Sequence, residues 1–294
     1  MSVRSRWPRR AGRAHQLPLT DSTPTLSLDH RPGPLFAWLA GLWRFRGVLL
    51  ALSRKDFQVR YKRATLGVLW SAALPLLQST VLVFIFSRVG DFGTGRSFSY
   101  AGYVLAGMVP WVFVSTSIGA STTSIVEASG LTDKVWFPRA ILALVPPCAN
   151  TIMLATSTVI LLIGLPLIGV PPALRLLLLV PAALLAIAFS AAFGMLLAAL
   201  YVYFRDLKFL VQAVLLVWLY VTPVVYPPAE LGPAGRWLDW NPLTGITGMF
   251  QSAAVGSPFP SVRALLVSVL ATLGLGAIGV LVHRHHDRLF VDLL

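Results

Sequence analysis

Charged residues are scarce in this chain, since Asp, Glu, Lys and Arg make up only 12% of its 294 residues. A soluble domain carries about 25% charged residues, so the deficit excludes an ordinary water-exposed surface. Cysteine occurs once, as Cys148, which excludes an intrachain disulfide. The N-terminus lacks the apolar core of a secretory signal peptide, because its basic residues lead into a Pro/Ser/Thr-rich stretch.

Motifs for nucleotide binding and metal chemistry are absent as well. No G-x-x-x-x-G-K-[ST] loop occurs, so the sequence predicts no P-loop phosphate site. No H-E-x-x-H pair or Cys/His zinc spacing occurs, and we expect no catalytic residue and no metal in this chain. The glycines at 274–279 match G-x-G-x-x-G, but they lie in an apolar run where small residues favour close helix packing. The histidines at 283–286 form a basic flank of that run.

Apolar runs dominate what is present: 56% of the residues are hydrophobic and the mean hydropathy is +0.75. A membrane-spanning helix needs about 20 apolar residues, and six runs satisfy this. We therefore predict an all-α membrane protein with six transmembrane helices within a domain at 67–294, over residues 67–88, 100–126, 140–166, 174–203, 209–227 and 262–283.

Three further segments are not predicted to span the membrane. Residues 1–33 are basic and proline-rich, and we expect a disordered cytoplasmic tail there. An apolar stretch follows, but Arg44 and Arg46 interrupt it, and a central arginine costs about 2.5–3.5 kcal/mol on insertion. We therefore predict an N-terminal interfacial helix within a gate region at 34–66. Residues 240–262 are rich in Pro, Gly, Ser and Thr, which indicates an interfacial or re-entrant segment.

The placement of Lys and Arg predicts the orientation. With residues 1–66 inside, the inner segments hold 19 of the 24 basic residues and the outer segments hold 5. We therefore expect a multi-pass protein of the inner (plasma) membrane with both termini in the cytoplasm. Because the charge flanks the spans and does not cover a soluble face, the net charge of +13 does not indicate nucleic-acid binding.

Ionisable residues are absent from the interiors of the predicted spans. Such residues usually mark ion and proton pathways, so the sequence argues against a proton-coupled transporter. It also argues against a membrane enzyme that uses carboxylates at depth. Aromatic residues recur in the spans, and packing or interface belts explain any one of them. The sharper hypothesis is a channel lined with rings that stack on sugars, with Trp70, Phe84, Tyr103, Trp111, Trp218 and Tyr220 as candidates.

The segment at 56–70 carries the pattern D-x-x-x-R-Y-K-x-x-x-L-G-x-x-W. Asp56 and Arg60, like Phe57 and Tyr61, are spaced to interact on one helix. The pattern resembles the opening signature of the permeases of type-2 ABC exporters of polysaccharides and polyol phosphates. These move O-antigen, teichoic acid, capsule or cell-wall galactan. Segments resembling the family's loops follow in the same order at 134–139, 204–207, 222–226 and 241–244.

The resemblance implies an interfacial helix, six spans and re-entrant helices between spans five and six. It also implies a homodimer that pairs with two copies of a separate ATPase, which would bind the ATP and Mg²⁺ while this chain holds no cofactor. Residues implied in coupling to that ATPase are Glu127, Asp133, Lys134, Phe137, Pro138, Arg205 and Asp206. Cationic and aromatic residues that would attract a lipid phosphate at the cytoplasmic leaflet are Arg54, Lys55, Arg60, Tyr61, Lys62 and Arg63.

The expected function is thus the membrane subunit of an ATP-driven exporter of lipid-linked polysaccharide, in contact with membrane lipids and not itself an enzyme. The excess of Arg over Lys indicates a high-GC genome, and cell-wall galactan is the expected glycan if that genome is actinobacterial. Two alternatives stay open. One is a type-2 ABC permease for a small drug or lipid, and the other is a membrane-embedded glycosyltransferase, for which the sequence offers few carboxylates near the membrane faces.

Overall fold

A computed structural model of the chain describes residues 35–62, 67–89, 99–132, 137–171 and 173–286. Within these ranges the chain is helical and contains no strand, which confirms the prediction of an all-α protein. The predicted tail at 1–33 lies outside them. The α-helices in this part of the chain are α1 Leu35–Arg44, α2 Arg46–Tyr61, α3 Trp70–Val89, α4 Tyr100–Glu127, α5 Ser129–Thr132, α6 Ala140–Leu167, α7 Leu179–Tyr203, α8 Leu207–Val221, α9 Pro242–Val255 and α10 Val262–His286. Short 3₁₀ segments cover Gly67–Leu69, Leu174–Leu178 and Pro228–Trp240.

Five of the described helices are long and apolar enough to cross a membrane: α3, α4, α6, α7 with the 3₁₀ turn before it, and α10. Each has at least 18 residues in the apolar stretch. At about 1.5 Å per residue, each reaches or approaches the ~30 Å hydrocarbon core. Helices α1 and α2 meet the same criterion only as a pair, and that pair is bent by 51°. The described part of the chain therefore has five candidate spans, or six if the bent pair is one.

Helix α8 is shorter than the span predicted at 209–227. It has 15 residues and ends at Val221, so at about 1.5 Å per residue it extends for only about 22 Å. The reason is the Thr222-Pro223 pair. A residue before proline avoids the helical region, and Thr222 is extended, with φ −91° and ψ 135°. The chain then turns, and the remainder of the predicted span is not helical.

Two helical segments occupy the polar stretch between α8 and α10, where the sequence predicted re-entrant helices. The first, Pro228–Trp240, is 3₁₀ in character and is interrupted at Gly232, where φ is 54° and ψ is −130°; the second is α9. Helix α9 begins because the Asn241 side chain caps it and Pro242 stands at its first position. It ends at Gly256, whose φ of 72° suits only glycine well. Their passage into the membrane stays a prediction.

Helix α4 is the centre of the bundle and packs against α3, α6, α7 and α9. Two apolar clusters surround it. One lies at the end where α4 and α10 begin, and we call this the α9 end. The other lies where α4, α7 and α10 finish, together with the side chains of α2, and we call this the α2 end.

Helices α4, α6 and α7 meet at a polar contact inside the bundle. Pro147 of α6 has no N–H, so the carbonyl of Ala143 loses the donor that an α-helix normally supplies. The hydroxyl of Ser121 on α4 replaces it and donates to that carbonyl at 2.9 Å. Gly194 of α7 makes the approach possible, because an added Cβ would lie 2.6 Å from Ser121 Cβ.

Helix α1 has no buried residue, and the rings of Phe36 and Trp43 are 83% and 70% exposed. The guanidinium of Arg46 lies over the Trp43 ring, 5.2 Å from its centroid. Exposed rings beside a basic residue are typical of a helix at a membrane interface. The interfacial placement of α1 stays a prediction, supported by this surface.

Candidate functional site

Helix α2 carries the cationic residues that the sequence singled out, and it lies along α6. Two hydrogen bonds attach it there. The hydroxyl of Ser53, which is buried, donates to the carbonyl of Val145 at 3.3 Å. About two turns further along, Arg60 Nη1 donates to Asn150 Oδ1 at 3.0 Å. The cationic helix is therefore fixed to the bundle by its own polar side chains.

The contact at Arg60 is part of a chain of four side chains. Asp56 Oδ2 lies 2.8 Å from Arg60 Nη2, one helical turn earlier on α2. Beyond Arg60, Asn150 Nδ2 donates to the hydroxyl of Ser117 on α4 at 3.0 Å. Asn150 and Ser117 are buried, so each would be costly to desolvate without a partner. The chain links α2, α6 and α4 and holds the Arg60 guanidinium in one place.

The other predicted phosphate-attracting residues are placed differently. Arg54, Lys55 and Lys62 are exposed at the surface of α2. Tyr61 is half-buried, and its ring centroid lies 4.9 Å from that of Phe57. Arg63 lies outside the described residues. The three exposed cations are thus available to a ligand, whereas Arg60 is already engaged.

Two cavities flank α2. One, of about 310 Å³, lies between α2, α4 and α6, and its charged lining consists of Lys55, Asp56, Arg60 and Glu127. The other, of about 680 Å³, opens on the far side of α2 beside Phe57, Tyr61 and Lys62. Cations set among aromatic and aliphatic side chains match a ligand with an anionic head and an apolar body.

The residues predicted to couple to an ATPase gather at the α2 end, where the structure describes them. Glu127 is exposed at the last position of α4, and Arg205 and Asp206 are exposed in the turn between α7 and α8. The Arg205 guanidinium lies 5.8 Å from the centroid of the Tyr201 ring. Asp133 and Lys134 lie outside the described residues.

Phe137 and Pro138 differ from these exposed coupling residues. The Phe137 ring is only 5% exposed and belongs to the apolar cluster at the α2 end. In this structure the ring anchors the segment before α6 and presents no surface to a partner. Pro138, which follows it, is half-buried. The surface that the described part of this segment offers to a partner therefore includes Pro138 and the exposed Glu127.

Five of the six candidate channel aromatics divide into two groups. Tyr103 and Trp111 are 3% and 5% exposed and lie in the core around α4, so they pack within one chain. Trp70, Phe84 and Tyr220 are 50%, 64% and 58% exposed. They lie on α3 and α8 and face outward from the bundle.

Trp218 is held by contacts within the chain. Its ring meets the rings of Phe189 and Phe193 edge-on, with centroids 6.4 and 6.1 Å away. Its indole N–H donates to Asn241 Oδ1 at 3.0 Å. The ring therefore fixes α8 to α7 and to the start of α9, and one face of it borders an apolar groove along α8.

Sequence analysis missed Asn150, Ser117 and the full role of Asn241. A signal existed for Asn150, since an amide inside an apolar helix needs a hydrogen-bond partner. The partner was not readable, because Arg60 lies 90 residues away. Within the described residues, no group of three or more His, Cys, Asp or Glu side chains is placed to hold a metal ion.

These features together define a membrane-embedded helical subunit with a cationic helix at one end and no P-loop motif in its sequence. The sequence profile described as ABC-2 type transporter matches residues 48–255, from α2 to the end of α9. That match covers more than half of the chain, which therefore belongs to the ABC-2 type transporter family. The resemblance drawn from the 56–70 motif is confirmed at this level.

Similar proteins of known function are O-antigen export system permease proteins named RfbA. The one from Myxococcus xanthus is 27% identical over 228 residues, which cover 76% of this chain and 86% of that protein. Two from Klebsiella pneumoniae are 25% and 26% identical over 248 and 253 residues. Each of these two alignments covers 82% of this chain and 95% of the relative.

Proposed function

We propose that this chain is the membrane subunit of an ATP-driven exporter that moves a lipid-linked polysaccharide from the cytoplasmic to the outer side of the inner membrane. Two copies would assemble with two copies of a separate ATPase subunit, which would bind ATP and Mg²⁺. The similarity to O-antigen export permeases supports a polysaccharide as the cargo. Cell-wall galactan is one such glycan.

The observation that carries the proposal is the fixed position of α2. Arg54, Lys55 and Lys62 are exposed on it, whereas Arg60 and Ser53 bind the helix to α6. A polybasic helix gains about 1 kcal/mol per basic residue near an anionic surface. The lipid pyrophosphate would be held by these exposed cations, with its apolar chain in the membrane and its sugars directed toward the bundle.

The path for the glycan would form between two copies of the chain. Exposed rings on α3 and α8 support this arrangement, because Trp70, Phe84 and Tyr220 remain 50%, 64% and 58% exposed within one chain. Helix α8 also exposes a continuous apolar face that includes Phe209, Leu216 and Val217. Rings on such a path would stack on the apolar faces of sugars. Tyr103 and Trp111 would support it from inside the bundle.

The ATPase would dock at the α2 end, on the surface that contains Glu127, Arg205 and Asp206. The charged cavity of about 310 Å³ is lined by α2 and by Glu127 of this surface. A movement of the docking surface would therefore be transmitted to α2 through only a few intervening side chains. Rigid-body movement of packed helices is a common way for one subunit to drive another. ATP binding would in this way open the path beside α2.

The proposal is tested by depleting the protein and following the lipid-linked glycan across the two leaflets. Accumulation of full-length glycan on the cytoplasmic side is the expected result. Normal export, or loss of glycan synthesis, would contradict it. Sensitivity to a small drug with a normal cell envelope would instead favour the alternative, a type-2 ABC permease for a small drug or lipid.

A further inference from the structure

A cavity of about 210 Å³ lies at the α9 end of the bundle, far along the chain from α2. Its floor is one face of α9, where Thr244, Gly248 and Gln251 recur at helical spacing. Asp239 and the loop at 257–261 form its walls. Water occupies about 30 Å³ per molecule in the liquid, so this volume suits several waters or one small ring-shaped ligand.

Polar groups from three different elements converge on this cavity. Gln251 is 2% exposed, and its Nε2 donates to the carbonyls of Pro223 and Val224 at 3.1 and 3.2 Å. Its Oε1 is thereby left as an acceptor for the cavity. The Asp239 carboxylate forms no ion pair with a described cation, and the buried Ser257 hydroxyl bonds to no described residue. Two acceptors and one hydroxyl are therefore available to a ligand.

The cavity is also rigid and partly apolar. Five prolines line it, at positions 223, 227, 228, 258 and 260, and each has a fixed φ. The Ser252 hydroxyl lies 2.8 Å from the Gly248 carbonyl of its own helix and 3.0 Å from the Pro258 carbonyl, so its proton is shared between α9 and the loop. Phe259 stands at the rim with its ring 53% exposed. Gly248 keeps the floor open, because an added Cβ would lie 3.0 Å from Pro260 Cβ.

We infer that this cavity binds one neutral sugar ring. A sugar presents hydroxyl donors to Asp239 and Gln251, and its C–H faces suit the proline rings and the Phe259 ring. An anion would be repelled by Asp239, and an apolar ligand would leave both acceptors unpaired. That the sugar belongs to the exported glycan rests on the proposed function.

The test uses the full chain in lipid nanodiscs and methyl α-D-galactopyranoside as the probe. A ligand of this size with a few hydrogen bonds is expected to bind with a Kd of about 1 mM. Saturation-transfer NMR detects such weak binding directly. The variants are Asp239→Asn, which keeps the size but removes the charged acceptor, and Gly248→Val, which fills the floor. Gly274→Ala is the control, since no atom outside its own helix's nearby backbone and its chain neighbours lies within 4 Å of the added Cβ.

Transfer to the sugar in the wild type and in Gly274→Ala is expected, with at least tenfold weaker binding in Asp239→Asn and none in Gly248→Val. The site would be overturned if the wild type showed no transfer, or if both cavity variants showed as much transfer as the wild type. If tetramethylammonium displaced the sugar, the cavity would be a cation site and the assignment of a sugar ligand would be wrong. Binding is measured without transport, so it stands apart from the export proposal. If Asp239→Asn loses binding yet exports glycan normally, the glycan is excluded as the source of the sugar.

Discussion

Arg60 Nη1 donates to Asn150 Oδ1 at 3.0 Å, and this bond joins α2 to α6 although the two residues lie 90 positions apart in the chain. Asn150 passes the contact on to Ser117 of α4. Arg60 belongs to the cationic set that first indicated a phosphate site, yet its guanidinium is occupied by Asp56 and Asn150. Arg60 is therefore better described as the residue that positions α2 than as a free phosphate ligand.

These contacts decide which cation of α2 is suited to a test of phosphate attraction. Arg60→Glu would place a second carboxylate beside Asp56 and remove the donor to Asn150. The exposed Lys62 is the residue whose change tests phosphate attraction without disturbing the packing of α2.

A double-mutant cycle tests the bond between Arg60 and Asn150. Arg60→Met and Asn150→Leu are each expected to lower the free energy of unfolding by about 1.5–3 kcal/mol, because a hydrogen bond to a charged group is lost. The double variant should cost at least 0.5 kcal/mol less than the sum. The measurement is denaturant titration of the purified chain in mixed micelles. Arg54→Met is the matched control, and strict additivity would refute a direct coupling.

The exposed cations of α2 are tested with Arg54→Gln and Lys62→Gln together. Each basic residue near an anionic surface contributes about 1 kcal/mol, so affinity for vesicles that contain a polyprenyl pyrophosphate should fall about 30-fold. Export of the glycan should fall with it, at unchanged stability. The matched control removes two exposed arginines from the α9 end, Arg236→Gln and Arg263→Gln. An equal loss in the control would show a general charge effect and no site on α2.

The contact between α4, α6 and α7 is tested at Gly194. Its alanine variant would place a methyl group 2.7 Å from Ser121 Oγ and displace the hydroxyl from the Ala143 carbonyl. We expect a loss of about 1–3 kcal/mol in stability from overpacking. Gly119→Ala on α4 has no neighbouring atom within 4 Å outside its own helix's nearby backbone and should gain about 0.5–1 kcal/mol.

A swap separates the steric effect at Gly194 from the hydrogen bond. The double variant Gly194→Ala with Ser121→Gly restores the space but not the donor to Ala143. It should recover most of the lost stability and remain about 0.5–1.5 kcal/mol below the wild type. Thermal unfolding in detergent compares the wild type, Gly194→Ala, Gly119→Ala and the double variant. If the double variant were no more stable than Gly194→Ala alone, the contact with Ser121 would not be the source of the strain.

The sequence predicted those features that follow from local composition. Helix α4, for example, ends within one residue of the end of the predicted segment at 100–126. The limits of this helix were predictable because the apolar run is flanked by charged and polar residues. The early end of α8 was also readable, since Thr222 precedes a proline. The burial of Phe137 and the Arg60–Asn150 bond were not readable. They depend on which distant helices meet, and hydrophobic pattern alone does not determine that.

Asn241 shows the same limit, because its position at a helix start is visible in the sequence whereas its partners are not. Its Oδ1 accepts from the Leu243 N–H and from the Trp218 indole, both at 3.0 Å. Its Nδ2 donates to the Thr222 hydroxyl at 3.0 Å and to the Val221 carbonyl at 3.3 Å. One side chain thus caps α9 and also satisfies the polar groups at the end of α8.

Three substitutions at Asn241 therefore separate its roles. Asn241→Ala should lower stability by about 2–4 kcal/mol, since it removes a cap and leaves the Trp218 N–H without an acceptor. Asn241→Ser keeps the cap but is too short to reach Trp218, so we expect an intermediate loss. Asn241→Asp keeps both acceptor contacts and loses the donors to α8. Unfolding free energies, with the exposed Gln212→Ala on α8 as control, measure this order.

Limited proteolysis gives an independent measure of the link at Asn241. If Asn241 fixes the turn between α8 and α9, its alanine variant should be cut faster than the wild type within the exposed stretch at 229–234. Trp218→Phe keeps the ring contacts with Phe189 and Phe193 and removes only the indole donor. It should therefore show a smaller increase in cutting than Asn241→Ala. Equal rates in the wild type and in Asn241→Ala would mean that α9 holds its place through apolar packing against α4 and α10 alone.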